Sequence, residues 1–114
     1  MALAIASREV DGVTVLELSG RITLGEGSVQ LRDAIRDSIA KGQRRILLDL
    51  GEVNYIDSSG LGELVSAYTT ARNQGAVLKL LKLTKKVHDL LQLTKLYTVF
   101  DIYDDEASAI ASFK

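Results

Sequence analysis

The stretch YIDSSGLGEL, residues 55–64, sets two serines between an aspartate and a pair of glycines. Just before it, RILLDL, residues 45–50, holds three consecutive large aliphatics, which suits a central strand covered on both faces, as parallel strands are. Residues 53–56 continue or flank that strand. After the serines, Leu61, Leu64, Val65 and Tyr68 fall at i, i+3, i+4 and i+7, the stripe of a helix packed on a sheet, and Gly75 closes the helix. The turn carrying Ser58 is therefore expected at a helix N-terminus.

Working outward, Asp11 and Gly12 separate Val10 from Val13 and signal a type I′ hairpin, with a second strand running to Leu18 and ending at Gly20. From Leu24 the apolar residues recur at Leu31, Ala34, Ile35 and Ile39, a helical period with Gly42 as its stop. On the other side, residues 76–81 read as a strand and Thr84 caps a short helix that turns Val87, Leu90 and Leu91 inward. TVFDI, residues 98–102, supplies the last strand. Asp104 then caps a C-terminal helix, with Asp105 and Glu106 in its first turn and Ala107, Ile110 and Ala111 toward the sheet. The expectation is a single α/β domain over residues 1–114, a mixed β-sheet with an N-terminal hairpin and about four packed helices.

Composition narrows the chemistry. A chain of 114 residues can bury roughly two thirds of its unfolded surface in one core. It has no cysteine, so disulfides and thiolate metal sites are out, and the one histidine, His88, cannot form a cluster by itself. Lys plus Arg number 14 against 15 Asp plus Glu, a net charge of -1 that gathers neither nucleic acid nor anionic lipid. With no basic leader in MALAIASREV and no apolar run near the ~20 residues of a membrane span, the expected setting is the cytoplasm, without membrane insertion. Lys79, Lys82, Lys85 and Lys86 read as a solvated basic face, and the four tyrosines are too scattered for a stacking platform.

The serine turn admits several chemistries. A nucleophile elbow needs G-x-S-x-G, but Ile56 stands two residues before Ser58 and Leu61 two residues after Ser59. Gly60 and Gly62 are followed by Val65 where a dinucleotide loop has its third glycine, and no P-loop lysine follows. Asp49, in a strand like that of receiver domains, lacks their acidic pair and lysine and reads as structural, holding the following loop. Asp57 or Ser58 as a helix cap accounts for the acid and hydroxyls but not for glycines in a first turn, each of which costs up to roughly 1 kcal/mol against alanine. Bare backbone there lets another surface approach. A phosphoryl group on Ser58 would sit at the positive end of the helix and alter that surface while sparing the fold.

LLDLGEVNYIDSSGLGEL closely resembles the signature of STAS domains, and the whole chain is similar in length and order to the bacterial anti-sigma factor antagonists. The resemblance implies a non-enzymatic partner switch: the unmodified protein binds an anti-sigma factor that is also a serine kinase, which frees the sigma factor. The kinase, with its own ATP and magnesium, phosphorylates the serine after the aspartate, Ser58 here, and a serine phosphatase reverses it. The antagonist itself needs no cofactor. Asp57, Ser59, Gly60, Leu61, Gly62 and Glu63 would form the docking surface, joined by Thr23 as a second hydroxyl or as a cap. Family antagonists commonly read Gly-Glu-Leu-Asp after the second strand, whereas this chain has Gly20, Arg21, Ile22 and Thr23, a change of charge that bears on which kinase is recognised. Within the same fold the alternatives are a STAS subunit of a lipid-transport ATP-binding-cassette complex and a signalling scaffold.

Overall fold

The computed structural model describes residues 3–114, so the first two residues of the expected domain lie outside the described residues. Strands β1 (Leu3–Val10) and β2 (Val13–Ile22) form the hairpin, and Asp11 and Gly12 both take the positive φ that a type I′ turn requires, 50° and 79°. Helix α1 (Glu26–Ala40), strand β3 (Arg45–Ile56), helix α2 (Ser58–Asn73), strand β4 (Val77–Leu81), helix α3 (Lys85–Leu93), strand β5 (Ile102–Tyr103) and helix α4 (Glu106–Ser112) follow. The five strands lie in sequence order in one sheet, with β1 antiparallel to β2 and the rest parallel.

Both faces of the sheet are covered over the first half of β3, which is why residues 46–48 are consecutive aliphatics. Ile46 and Leu48 point with Leu16 and Leu18 into a core closed by Leu31 and Ile35 of α1, Leu64 of α2 and Val87 and Leu91 of α3. Leu47, between them, points the other way with Val13, Val15 and Leu81 onto Ala109 and Ile110 of α4. All three β3 residues are fully buried. Farther along, β3 carries two irregularities against β2, and Asp49 Oδ1 accepts a hydrogen bond from the Gly51 amide (3.0 Å) across the first of them. No loop follows Asp49, contrary to expectation: β3 runs on to Ile56, and the carboxylate braces the irregularity within the strand.

Several expectations are corrected. Leu24 belongs to no helical stripe: α1 begins two residues later, behind Gly25 at φ 92°, and Leu24 is 77% exposed. Residues 98–102 are not a strand; Leu96–Thr98 make a 3₁₀ turn, Phe100 turns inward edge-on to Tyr68, and β5 is the pair Ile102–Tyr103. Asp105, not Asp104, caps α4 by accepting from the Ser108 amide (2.9 Å), and Ala109 faces the sheet with Ile110 in place of Ala107 and Ala111. Lys79 is no part of a solvated face. Its ammonium is buried, donates to Ser112 O and Oγ (3.1 and 2.9 Å) and lies 4.7 Å from the Phe113 ring centre, so it holds the C-terminal helix to the sheet.

At the other end of α4, Glu106 accepts from both terminal guanidinium nitrogens of Arg8 in β1, and Arg8 Nε also reaches Glu17 at 3.4 Å. Hydrogen bonding to Arg8 holds the Glu106 carboxyl below its ordinary range. Glu106→Ala should therefore loosen α4 alone: amide exchange at Ala109 and Ile110 should speed up while that of Leu48 stays unchanged, and equal protection of α4 in both proteins would show that Lys79 suffices.

Candidate functional site

The site forms where the carboxyl ends of β2 and β3 meet the N-terminus of α2. After its second irregularity β3 pairs Tyr55 with Arg21 and Ile56 with Ile22, which sets the two chain exits side by side. Asp57 leaves β3 in extended conformation and becomes the N-cap of α2. Its Oδ1 accepts the Gly60 amide (2.8 Å) and its Oδ2 the Leu24 amide (3.0 Å), while its own N–H donates to Ile22 O (3.3 Å). One carboxylate thus ties the helix start to the loop that follows β2. Those amides, Gly60 first, hold its pKa below the ordinary carboxylate range.

The docking residues expected from sequence separate into two groups. Gly60 and Leu61 are buried and belong to the interior, a correction of their expected place on the surface. The close approach that requires Gly60 is internal: a Cβ there would overlap the Ile22 carbonyl oxygen and come within 2.9 Å of Ile22 Cγ2. Asp57 is half-buried, with both oxygens committed to amides. Ser58, the first residue of α2, is exposed, and so is Gly62, where an added Cβ would meet nothing within 4 Å. Ser59 is half-buried between them. Glu63 leans on α1, 3.7 Å from Arg32 Nη1, and its side chain is 19% exposed. Thr23 is half-buried, and its carbonyl accepts both the Ser28 amide and the Ser28 hydroxyl (3.0 and 2.8 Å), which shapes the loop beside the serine turn.

Leu24 was missed. It stands on that same loop, its amide fixed by Asp57 and its side chain 77% exposed, an apolar group on the loop tied to the helix start. The glycine after it, at positive φ, was the available signal. For nucleophilic chemistry the turn is poorly furnished: both Asp57 oxygens are engaged by amides, and His88 lies on α3, its ring edge-on to Tyr97 at 5.1 Å. Among the described residues, no three His, Cys, Asp or Glu side chains are grouped to hold a metal, and no helix is long and apolar enough to cross a membrane.

Two predictions separate the glycines and the clamp. Gly60→Ala should destabilise the fold by about 1–3 kcal/mol or more, because the clash is with backbone, whereas Gly62→Ala should stabilise it by roughly 0.5–1 kcal/mol; urea unfolding of both variants checks the pair. Asp57→Ala should lower Tm at neutral pH. Because the folded pKa is depressed, the Asp57 contribution is complete above the ordinary carboxylate range and lost as pH falls through the folded value, so the Tm difference should shrink on acidification.

The STAS domain model matches residues 4–109. The anti-sigma F factor antagonist of Paenibacillus polymyxa is 29% identical over 115 residues, covering all of this chain and 97% of that protein. A crystal structure from Thermotoga maritima, provisionally assigned as an anti-sigma factor antagonist, superposes with a TM-score of 0.86 at 28% identity, over 95% of this chain and 92% of that one. The fold is also that of the anti-sigma factor antagonist SpoIIAA, at 20% identity, solved in its unphosphorylated form (TM-score 0.71, 96% and 97% covered) and, as a Bacillus cell fate determinant, in its phosphorylated form (0.74, 97% and 100%). With the hairpin, the mixed sheet and the Asp-Ser-Ser-Gly turn at the head of the second helix in place, the chain belongs to the STAS domain family.

Proposed function

We propose that this protein is an anti-sigma factor antagonist of the cytoplasm, a non-enzymatic switch that in its unphosphorylated form binds an anti-sigma factor serine kinase and is released when that kinase phosphorylates Ser58. The observation that carries the reading is the exposure of Ser58 at the first position of a sixteen-residue helix whose start is fixed by its neighbour Asp57. Modification at such a point leaves the fold alone. A phosphoryl group brings about −1.5 to −2 charge to the positive end of the helix, where the dipole stabilises it by ~1 kcal/mol.

Against a partner the same charge is costly. A thousandfold loss of affinity corresponds to about 4 kcal/mol, within what an unpaired dianion buried in an interface imposes. The docking surface is then Ser58, Ser59 and Gly62 with Thr23 and the exposed Leu24 from the neighbouring loop, while Asp57, Gly60, Leu61 and Glu63 support it from beneath. A serine phosphatase returns the protein to its binding form, and ATP and magnesium stay with the kinase. The names of the relatives, and the two phosphorylation forms in which SpoIIAA has been solved, agree with this assignment.

Affinity capture with two baits, Ser58→Ala and Ser58→Asp, followed by incubation of the retained kinase with ATP and wild-type protein, provides the test. The alanine bait alone should retain an anti-sigma factor with kinase activity, and the wild type should gain one phosphate on Ser58. Equal retention of a transporter ATPase by both baits would make Ser58 a helix position only and the protein a constitutive subunit.

A further inference from the structure

Beside the serine turn, the carboxyl edge of the sheet opens into two shallow adjoining cavities of about 390 and 290 Å³ that share Tyr55 and Lys86. The first is polar, lined by Arg21 and Asn54 with the shared pair; the second is lined by Ile56 and by Asp89, Leu90 and Leu93 of α3. Tyr55 is 45% exposed and Leu93 82%, so a tyrosine ring and a leucine face solvent next to two cations. Among the described residues, neither Arg21 nor Lys86 takes part in a salt bridge. The one carboxylate lining the groove, Asp89, is held by Lys85 at 3.1 Å, and that hydrogen bond keeps its pKa low.

The groove therefore carries positive charge in a chain whose net charge is -1. We propose that it receives an acidic segment of the partner that ends in a bulky apolar side chain, with carboxylates on Arg21 and Lys86 and the apolar group on Tyr55 and Leu93. The guanidinium of Arg21 matches a carboxylate with paired hydrogen bonds, and exposed aromatic and aliphatic surface supplies the anchor that charge alone lacks. Two cations are too few to track a polynucleotide backbone, and the open shape suits a chain segment better than an enclosed small molecule.

This deepens the reading of the Ser58 turn as the docking face by naming the chemistry of what reaches past it. Tyr55 lies three residues before Ser58, a span of at most roughly 11 Å, close to the Debye length of ~8–10 Å in physiological salt. A dianion on Ser58 would then repel the same acidic segment that Arg21 and Lys86 attract, so that phosphorylation weakens both parts of the interface together.

The test is an amide-resolved NMR titration of the unphosphorylated protein with the acetylated hexapeptide Glu-Glu-Leu-Glu-Glu-Phe, and with its counterpart in which lysine replaces each glutamate. The acidic peptide should shift the amides of Arg21, Asn54, Tyr55 and Lys86. The double variant Arg21→Glu/Lys86→Glu, with an unchanged melting curve, should bind it about tenfold more weakly, and raised salt should also weaken binding. Shifts caused equally by the basic peptide, shifts that survive the charge reversal, absence of localised shifts, or an oligonucleotide that produces them at lower concentration would each overturn the proposal. Because no kinase and no phosphate enter the titration, its outcome is independent of the fate of Ser58 in the capture experiment.

Discussion

A single carboxylate, that of Asp57, determines how the working edge of this domain is assembled. It accepts one amide from the first turn of α2 and another from the loop after β2, and so joins two chain segments 33 residues apart in sequence. The Ile22 carbonyl completes the arrangement, accepting the Asp57 amide while Gly60 packs against it without a side chain between. Everything that distinguishes this edge follows from those contacts. Ser58 faces outward at the first helical position while its neighbour Asp57 is committed to amides, and Leu24 is exposed because its backbone, and not its side chain, is what the clamp holds.

The two glycines of the turn divide its tasks. Gly60 serves the fold, since only a hydrogen fits against the Ile22 carbonyl, and Gly62 serves the surface, where space is open. Interior packing and the shape of the exposed surface are therefore set by neighbouring residues of the same helix turn yet remain separable. The rest of the domain supports this arrangement from a distance: β3, buried on both faces in its first half, carries the turn at its far end, and α4, held by Arg8 and Lys79, covers the opposite face of the sheet.

Much of this was legible in the sequence. The alternation of periods, the Asp-Gly hairpin, the doubly buried aliphatics of β3 and the stripe of α2 located the elements, and the helix-terminal position of Ser58 followed from them. What escaped prediction depended on partners remote along the chain. Gly60 looks like a surface glycine until Ile22 is placed beside it, and Leu24 fits a helical period until the clamp at its amide is seen to belong to a loop. Lys79 carries the charge of a surface residue, but its neighbours Ser112 and Phe113, at the far end of the chain, decide its environment. The choice of Asp105 over Asp104 as a cap is a one-residue matter that propensity cannot resolve, because either aspartate suits the position.

The Ile22 carbonyl beneath Gly60 has a consequence for what an enzyme acting on this turn can recognise. A free peptide with the residues of 55–64 holds the serine but not the β2 backbone against which the turn is shaped, nor the Leu24 amide that positions its aspartate. The acceptor proposed at Ser58 is thus part of a composite surface, present only once the parallel pairing of β2 with β3 has formed. Under the proposed switch such a regulator is counted only when folded: unfolded or nascent chains, however abundant, would neither titrate the partner nor consume its phosphoryl groups, and signal strength would follow the concentration of native molecules.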